Sequence, residues 1–226
     1  MSDLISACEY NDIEAIQVAL GKSDINYVDE EGSTALMWAS YYNNPEIVKL
    51  LLSSGAHINH IDNNGYNALL WAVIKNNSEI IKLLLRSGGA NINHANKYGN
   101  TALICAVANN CPETVKLLLI NGANINHAGE DGDTALIKAA IYNNPEMVKL
   151  LLRNGADINH INNDGETALK MATANKYKNI KNIITLYIVL RVKRSFTSDR
   201  RSRDILATTY LQVIPRDIIY VIESFL

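Results

Sequence analysis

A seven-residue phrase returns five times along the chain: TALMWAS from Thr34, NALLWAV from Asn67, TALICAV from Thr101, TALIKAA from Thr134 and TALKMAT from Thr167. The steps between copies are 33, 34, 33 and 33 residues. A unit this small cannot bury its own apolar face, so a fixed period predicts stacked helical units that share a core with their neighbours. Such a chain is expected to act by holding a partner.

The remainder of each unit repeats in register. Asn-Asn turns at Asn43, Asn76 and Asn143 precede EIVKLLL, EIIKLLL, ETVKLLL and EMVKLLL, and glycines with INH or INY tripeptides follow. In the third full unit the turn reads Asn110-Cys111, and one extra glycine at Gly88-Gly89 accounts for the single longer step. The spacing has a physical logic. Thr34, Thr101, Thr134 and Thr167 are placed to cap a short first helix, and the small Ala39, Ala72, Ala106, Ala139 and Ala172 let helices approach closely. Pro45, Pro112 and Pro145 open the second helices, where a missing N–H costs nothing, and the Glu after each favours the positive helix end. Gly55, Gly122 and Gly155 stop them. Gly32, Gly65, Gly99, Gly132 and Gly165 fall where a tight turn needs positive φ.

These phrases resemble the ankyrin repeat over roughly residues 3 to 190, with Ala35, Ala68, Ala102, Ala135 and Ala168 where that family usually has proline. The resemblance implies an all-α solenoid of helix-turn-helix units with β-turn or hairpin tips. Residues 1–33 are expected to form an N-terminal capping repeat and first turn, and 34–190 an array of five units, the last degenerate. A basic linker, 191–203, and a short helical C-terminal segment, 204–226, complete the organisation.

Composition fits this outline. A chain of 226 residues, 48% hydrophobic with formal charge −2, is long enough to bury a continuous core. No basic-then-apolar leader opens it, and the longest apolar stretch, Ile183 to Leu190, is far short of the about 20 residues that span a bilayer. A cytoplasmic monomer is expected. Cys8, Cys105 and Cys111 form no CxxC pair and are expected to be reduced; Cys105 is read as core, and Cys111 as drift at a turn slot or a reactive thiol. His60, His94, His127 and His160 recur at one place in successive units, with Tyr27 there in the first. Helical layers about 8 to 10 Å apart cannot share a zinc whose ligands sit about 2 Å away, so repetition explains the ladder and no metal site is expected. No phosphate-cradling loop, G-x-S-x-G or H-E-x-x-H is present, which leaves no case for an enzyme or a cofactor.

Binding should use positions that packing does not need: the turn tips and the open side of each first helix. The tips carry Asp29, Glu30, Glu31, Asp62, Glu130, Asp131, Asp133, Asp164 and Glu166 against Lys97 alone, with Tyr98 beside it. That row either keeps the loops solvated or attracts a basic protein. Trp38 and Trp71 occupy equivalent sites where later units have Cys105, Lys138 and Met171. Tyr41, Tyr42, Tyr66 and Tyr142 resemble the variable contact positions of ankyrin proteins, and with the tryptophans they form either a partner surface or ordinary packing across a repeat junction.

From Ala174 to Arg203 nine bases (Lys176, Lys178, Lys181, Arg191, Lys193, Arg194, Arg200, Arg201, Arg203) face one acid, Asp199. A solvated linker or docking onto the acidic repeats is expected before nucleic-acid or lipid binding. The final VIPRDIIYVIESFL sets Ile218, Ile222, Phe225 and Leu226 on one helical face after Pro215. It resembles the opening of an F-box, with Ile214, Pro215, Asp217, Ile218, Ile222 and Leu226 on the matching positions. Ankyrin arrays ending in such a motif resemble poxvirus host-range proteins and intracellular-bacterial effectors. That resemblance implies docking to the adaptor of a cullin-type ubiquitin ligase in a host-cell cytoplasm. A plain C-terminal cap, leaving a stand-alone inhibitor or scaffold, accounts for the same residues.

Overall fold

The computed structural model describes residues 3–195. The adaptor-docking residues Ile214, Pro215, Asp217, Ile218, Ile222, Phe225 and Leu226, and the bases Arg200, Arg201 and Arg203, lie outside the described residues. The helices in chain order are α1 (Asp3–Glu9), α2 (Ile13–Leu20), α3 (Ala35–Tyr41), α4 (Pro45–Ser53), α5 (Ala68–Ile74) and α6 (Ser78–Arg86). They continue with α7 (Ala102–Ala108), α8 (Pro112–Ile120), α9 (Ala135–Ile141), α10 (Pro145–Arg153), α11 (Ala168–Ala174) and α12 (Lys178–Ser195). Among the described residues the only β pairing is isolated bridges at the tips, Val28 with Thr34, Ala95 with Thr101 and Ala128 with Thr134. The expected all-α repeat architecture is therefore present. The chain divides into two compact units, Met1–Ala135 and Leu136–Leu226.

In the first unit helices pair in sequence, and first helices stack on first helices, α1 on α3, α3 on α5 and α5 on α7. The alanines of the repeated phrase make this close approach feasible, since Ala39, Ala72 and Ala106 are fully buried. Leu36, Ile47, Leu51, Leu70, Ile80, Leu84, Leu103 and Leu118 fill the core beside them, each contributing roughly 1.5–3 kcal/mol of apolar burial. The turn between paired helices needs one left-handed residue, and Asn11, Asn43, Asn76 and Asn110 supply it with φ between 54 and 63°. Asparagine tolerates that region because its short polar side chain bonds locally. The next asparagine ties repeats together: Asn77 Nδ2 donates to the Ser40 carbonyl at 2.7 Å, and Asn44 does the same to the Cys8 carbonyl. Cys111 holds that slot in the third full unit with no amide to give. There Asn109 Nδ2 reaches the Ile74 carbonyl at 3.2 Å instead.

The tips stack through backbone and glycine. A Cβ at Gly99 would lie 2.5 Å from the Glu130 nitrogen, and one at Gly65 would lie 2.9 Å from the Lys97 nitrogen. Both glycines have φ of 70 to 78°, so conformation and space each demand glycine there. The histidine ladder also has its role at the tips. The Nε2–H groups of His60, His94 and His127 donate to the carbonyls of Gly32, Gly65 and Gly99, at 3.0, 2.7 and 3.0 Å.

One expected cap fails. Thr101 and Asn67 accept from the backbone N–H three residues on, at 3.5 and 2.9 Å, but the Thr34 hydroxyl is buried without a partner. The Thr34 backbone N–H donates instead to the Met37 sulfur at 3.5 Å. In the second unit α12 packs on α10 and α11. Ile180 and Ile184 are fully buried, and Tyr187 Oη donates to the Leu152 carbonyl at 2.6 Å. Docked this way, α12 runs through Arg191 to Ser195. The first five residues of the expected basic linker, 191–203, are therefore helical.

Candidate functional site

The first two full repeats differ from the others at one slot in the tip and one on the first helix. At the tip, a side-chain oxygen organises the turn: Asp29 Oδ1 accepts from the Ser33 N–H at 2.7 Å, and Asp62 Oδ1 accepts from Asn64 and Tyr66, both at 2.9 Å. Asn96 and Asn162 do the same in their own turns. An aspartate has a second oxygen to spare. Asp29 Oδ2 accepts from the indole N–H of Trp38 at 2.7 Å, and Asp62 Oδ2 from that of Trp71 at 3.1 Å. Both rings are thereby fixed, half-buried, with their polar edge turned into the tip.

The fixed rings belong to a five-member aromatic array. Tyr42 stacks on Trp38, with centroids 5.7 Å apart and planes at 20°, and Tyr66 stacks on Trp71 at 4.8 Å and 29°. Tyr41 joins the two pairs edge-on, 5.7 Å from Trp38 and 5.5 Å from Trp71. These are the offset and T-shaped arrangements the ring quadrupole favours. The tryptophans thus meet through Tyr41 and not directly. Lys75, at the end of α5, holds its ammonium 4.0 Å from the Tyr41 centroid. Burial raises the phenol pKa of Tyr66 and of Tyr42, the latter with help from Glu9.

The other residues singled out from the sequence lie elsewhere. Tyr98 is 58% exposed on its tip and makes no ring contact with the array; Tyr142 is 54% exposed at the end of α9 in the second unit. Glu30, Glu31, Glu130 and Asp131 are exposed. Asp133 is not: it is 4% exposed, and its carbonyl accepts from the Gly129 N–H to close the tip. Asp62 is buried for the reason already given, so the acidic row is thinner than its sequence suggests. Cys105 shares the tryptophan slot and is half-buried, not core. The core thiol is Cys8, fully buried and donating to the Ala35 carbonyl at 3.3 Å. Burial raises the pKa of all three thiols, which opposes a reactive Cys111.

Two features of this surface were not drawn from the sequence. Lys75 is one. The other is the tie between Asp29 and Trp38, repeated by Asp62 and Trp71. Its signal was available: aspartate precedes tryptophan by nine residues twice, whereas Asn96, Gly129 and Asn162 precede Cys105, Lys138 and Met171.

Known proteins agree with this architecture. The ankyrin repeats pattern, in three copies, matches residues 4–96, 59–129 and 121–188. An ankyrin repeat domain from Acinetobacter baumannii is 35% identical with a TM-score of 0.75, over 81% of this chain and 96% of that one. A chain in the Bdellovibrio bacteriovorus complex of a predatory endopeptidase with its immunity protein is 31% identical with a TM-score of 0.74, over 82% and 97%. The ankyrin repeat domain of Bcl-3, a member of the IκB family, is 28% identical with a TM-score of 0.78, over 83% and 86%. An ankyrin repeat domain-containing protein of Stachybotrys chartarum is 59% identical over 34 residues, a match spanning 15% of this chain and only 2% of that protein's length. With the repeat pattern, the stacked helix pairs and these likenesses in agreement, the chain belongs to the ankyrin repeat family.

Proposed function

We propose that the chain works without chemistry of its own, by holding a protein partner on the first-helix surface of its first two full repeats. The observation that supports this is the array of Trp38, Tyr41, Tyr42, Tyr66 and Trp71, five rings linked by contact, Tyr42 exposed and the other four half-buried. Aromatic anchors dominate protein interfaces because they bury large area at little entropic cost. The exposed Glu30 and Glu31 on the adjoining tip favour a basic partner.

The test compares the full chain with its Tyr41→Ser/Tyr42→Ser variant as bait, with retained proteins identified by mass spectrometry and their affinities measured by calorimetry. A genuine partner loses at least about tenfold in affinity on that change, since two anchors are removed. A partner retained equally by both baits overturns the assignment.

The sequence from Ile214 to Leu226 supports a second element, an F-box-like segment that recruits the adaptor of a ubiquitin ligase while the repeats hold the target, so that raised effective concentration drives ubiquitin transfer. The contrasting reading is blockade by occupancy alone. Ile218→Asp/Ile222→Asp should abolish retention of ligase subunits and target degradation while leaving target binding intact. Degradation that persists in this variant sinks the adaptor reading.

A further inference from the structure

We propose that the aromatic array of the first two full repeats is a seat for an arginine side chain of the partner. The inference rests on the reading that this surface holds a protein, and it names the group recognised. The first observation is what the rings have left to offer. Both indole N–H groups are spent on Asp29 and Asp62, at 2.7 and 3.1 Å, so a partner meets π faces and no indole donor. A carboxylate bonded to each N–H also leaves those faces more attractive to positive charge.

The second observation is that the array already holds a cation. Lys75 Nζ lies 4.0 Å from the Tyr41 centroid, and among the described residues no carboxylate lies within ion-pair distance of it. The ring face attracts it there. The border is acidic as well: Glu30 and Glu31 are exposed on the tip, and Glu9 is near enough to Tyr42 for its charge to raise the phenol pKa. A guanidinium answers all of this. It is planar, weakly hydrated and stacks on rings while its fork reaches carboxylates, whereas an ammonium is a compact, strongly hydrated charge.

Both tryptophans of the chain lie in the array, so intrinsic emission reports its occupancy. The full chain is titrated with acetyl-Gly-Arg-Gly-amide and with the same peptide carrying lysine or citrulline in place of arginine. Arginine should give a saturable change, lysine one about threefold weaker, and uncharged citrulline none. Lys75→Ala frees the Tyr41 face and should strengthen the arginine peptide about threefold, and Tyr42→Leu, at an exposed ring, should weaken it.

Emission unchanged up to about 10 mM arginine peptide, citrulline acting as well as arginine, or weaker binding in Lys75→Ala each overturns the seat. If bait capture depends on Tyr41 and Tyr42 while the arginine peptide fails, the arginine assignment is wrong and the docking surface stands. If neither depends on the array, both fall.

Discussion

The indole N–H of Trp71 donates to Asp62 Oδ2 at 3.1 Å, while the other oxygen of the same carboxylate holds the turn that precedes the helix. One residue thus sets both the shape of a tip and the pose of a surface ring. Asp62→Asn keeps an oxygen for the turn but replaces the indole's acceptor with an amide. It should destabilise the fold by about 1 kcal/mol, the cost of an unsatisfied donor that water partly reaches. The change should also shift tryptophan emission to the red. In Asp62→Asn/Trp71→Met, which copies the pairing of Asn162 with Met171, the two losses should fall short of additive by a similar amount in a double-mutant cycle. Full additivity in urea titrations would mean the tie contributes nothing.

The slot of Cys111 is prepared for an amide. Its backbone, φ −107° and ψ 79°, matches that of Asn44 at −106° and 78°, and Asn44 and Asn77 both use the position to reach a carbonyl of the preceding repeat. Cys111→Asn should therefore stabilise the chain by about 1 kcal/mol, read as a higher urea midpoint with unchanged slope. A lower midpoint would show that the Asn109 bond to Ile74 already serves the junction and is disturbed.

Two tip glycines separate space from conformation. Gly99 and Gly165 have nearly equal φ, 70 and 73°, but a Cβ at Gly99 meets the Glu130 nitrogen at 2.5 Å and one at Gly165 meets nothing within 4 Å. Gly165→Ala should cost about 1 kcal/mol for left-handed backbone alone. Gly99→Ala should cost about 2–4 kcal/mol, because the next tip must also move. Equal losses in thermal melts would contradict tight tip stacking.

Stability should fall at alkaline pH through Cys8. Burial raises its pKa from the ordinary 9.0 to about 12, against a smaller lowering from a backbone hydrogen bond at Ala39. Its contribution is complete below pH 9, where both folded and unfolded chains keep the proton. Above that the unfolded chain ionises first, and up to about 12 stability drops by about 1.4 kcal/mol per pH unit from this group. Cys105, raised to about 11, adds to the loss in the same sense. Cys8→Ala should flatten the decline between pH 9 and 12 relative to the parent chain; parallel declines would count against the burial of this thiol.

Periodicity carried the sequence a long way, because turn asparagines, helix-opening prolines and stop glycines each answer a local backbone demand. Asn43, Asn76, Asn110 and Asn143 all take the left-handed conformation the Asn-Asn turns suggested, and at the equivalent position Lys176 takes it too, with φ 60°. What needed three dimensions was the traffic between units. Cys105 looks like core because apolar residues surround it in TALICAV, yet its slot faces the side where the first two full repeats place tryptophan. The pairing of Asp62 with Trp71 crosses a turn, so its nine-residue spacing means little until the tip is folded. Asp133 reads as a surface acid, and only the folded tip shows it buried. The aromatic residues were individually identifiable, but Tyr41 as the link between two stacked pairs was not.

Within the first unit, side-chain hydrogen bonds between repeats join residues 27 to 38 positions apart, from the Cys8 thiol on Ala35 to the Thr114 hydroxyl on Asn76. No loop much longer than one repeat has to close before a contact stabilises it, which keeps the entropic barrier low. A ribosome delivering about 5–20 residues per second supplies each new repeat over seconds, far slower than a helix pair forms. The earlier repeats can therefore be assembled, with the aromatic array complete, while the basic segment and tail are still being synthesised.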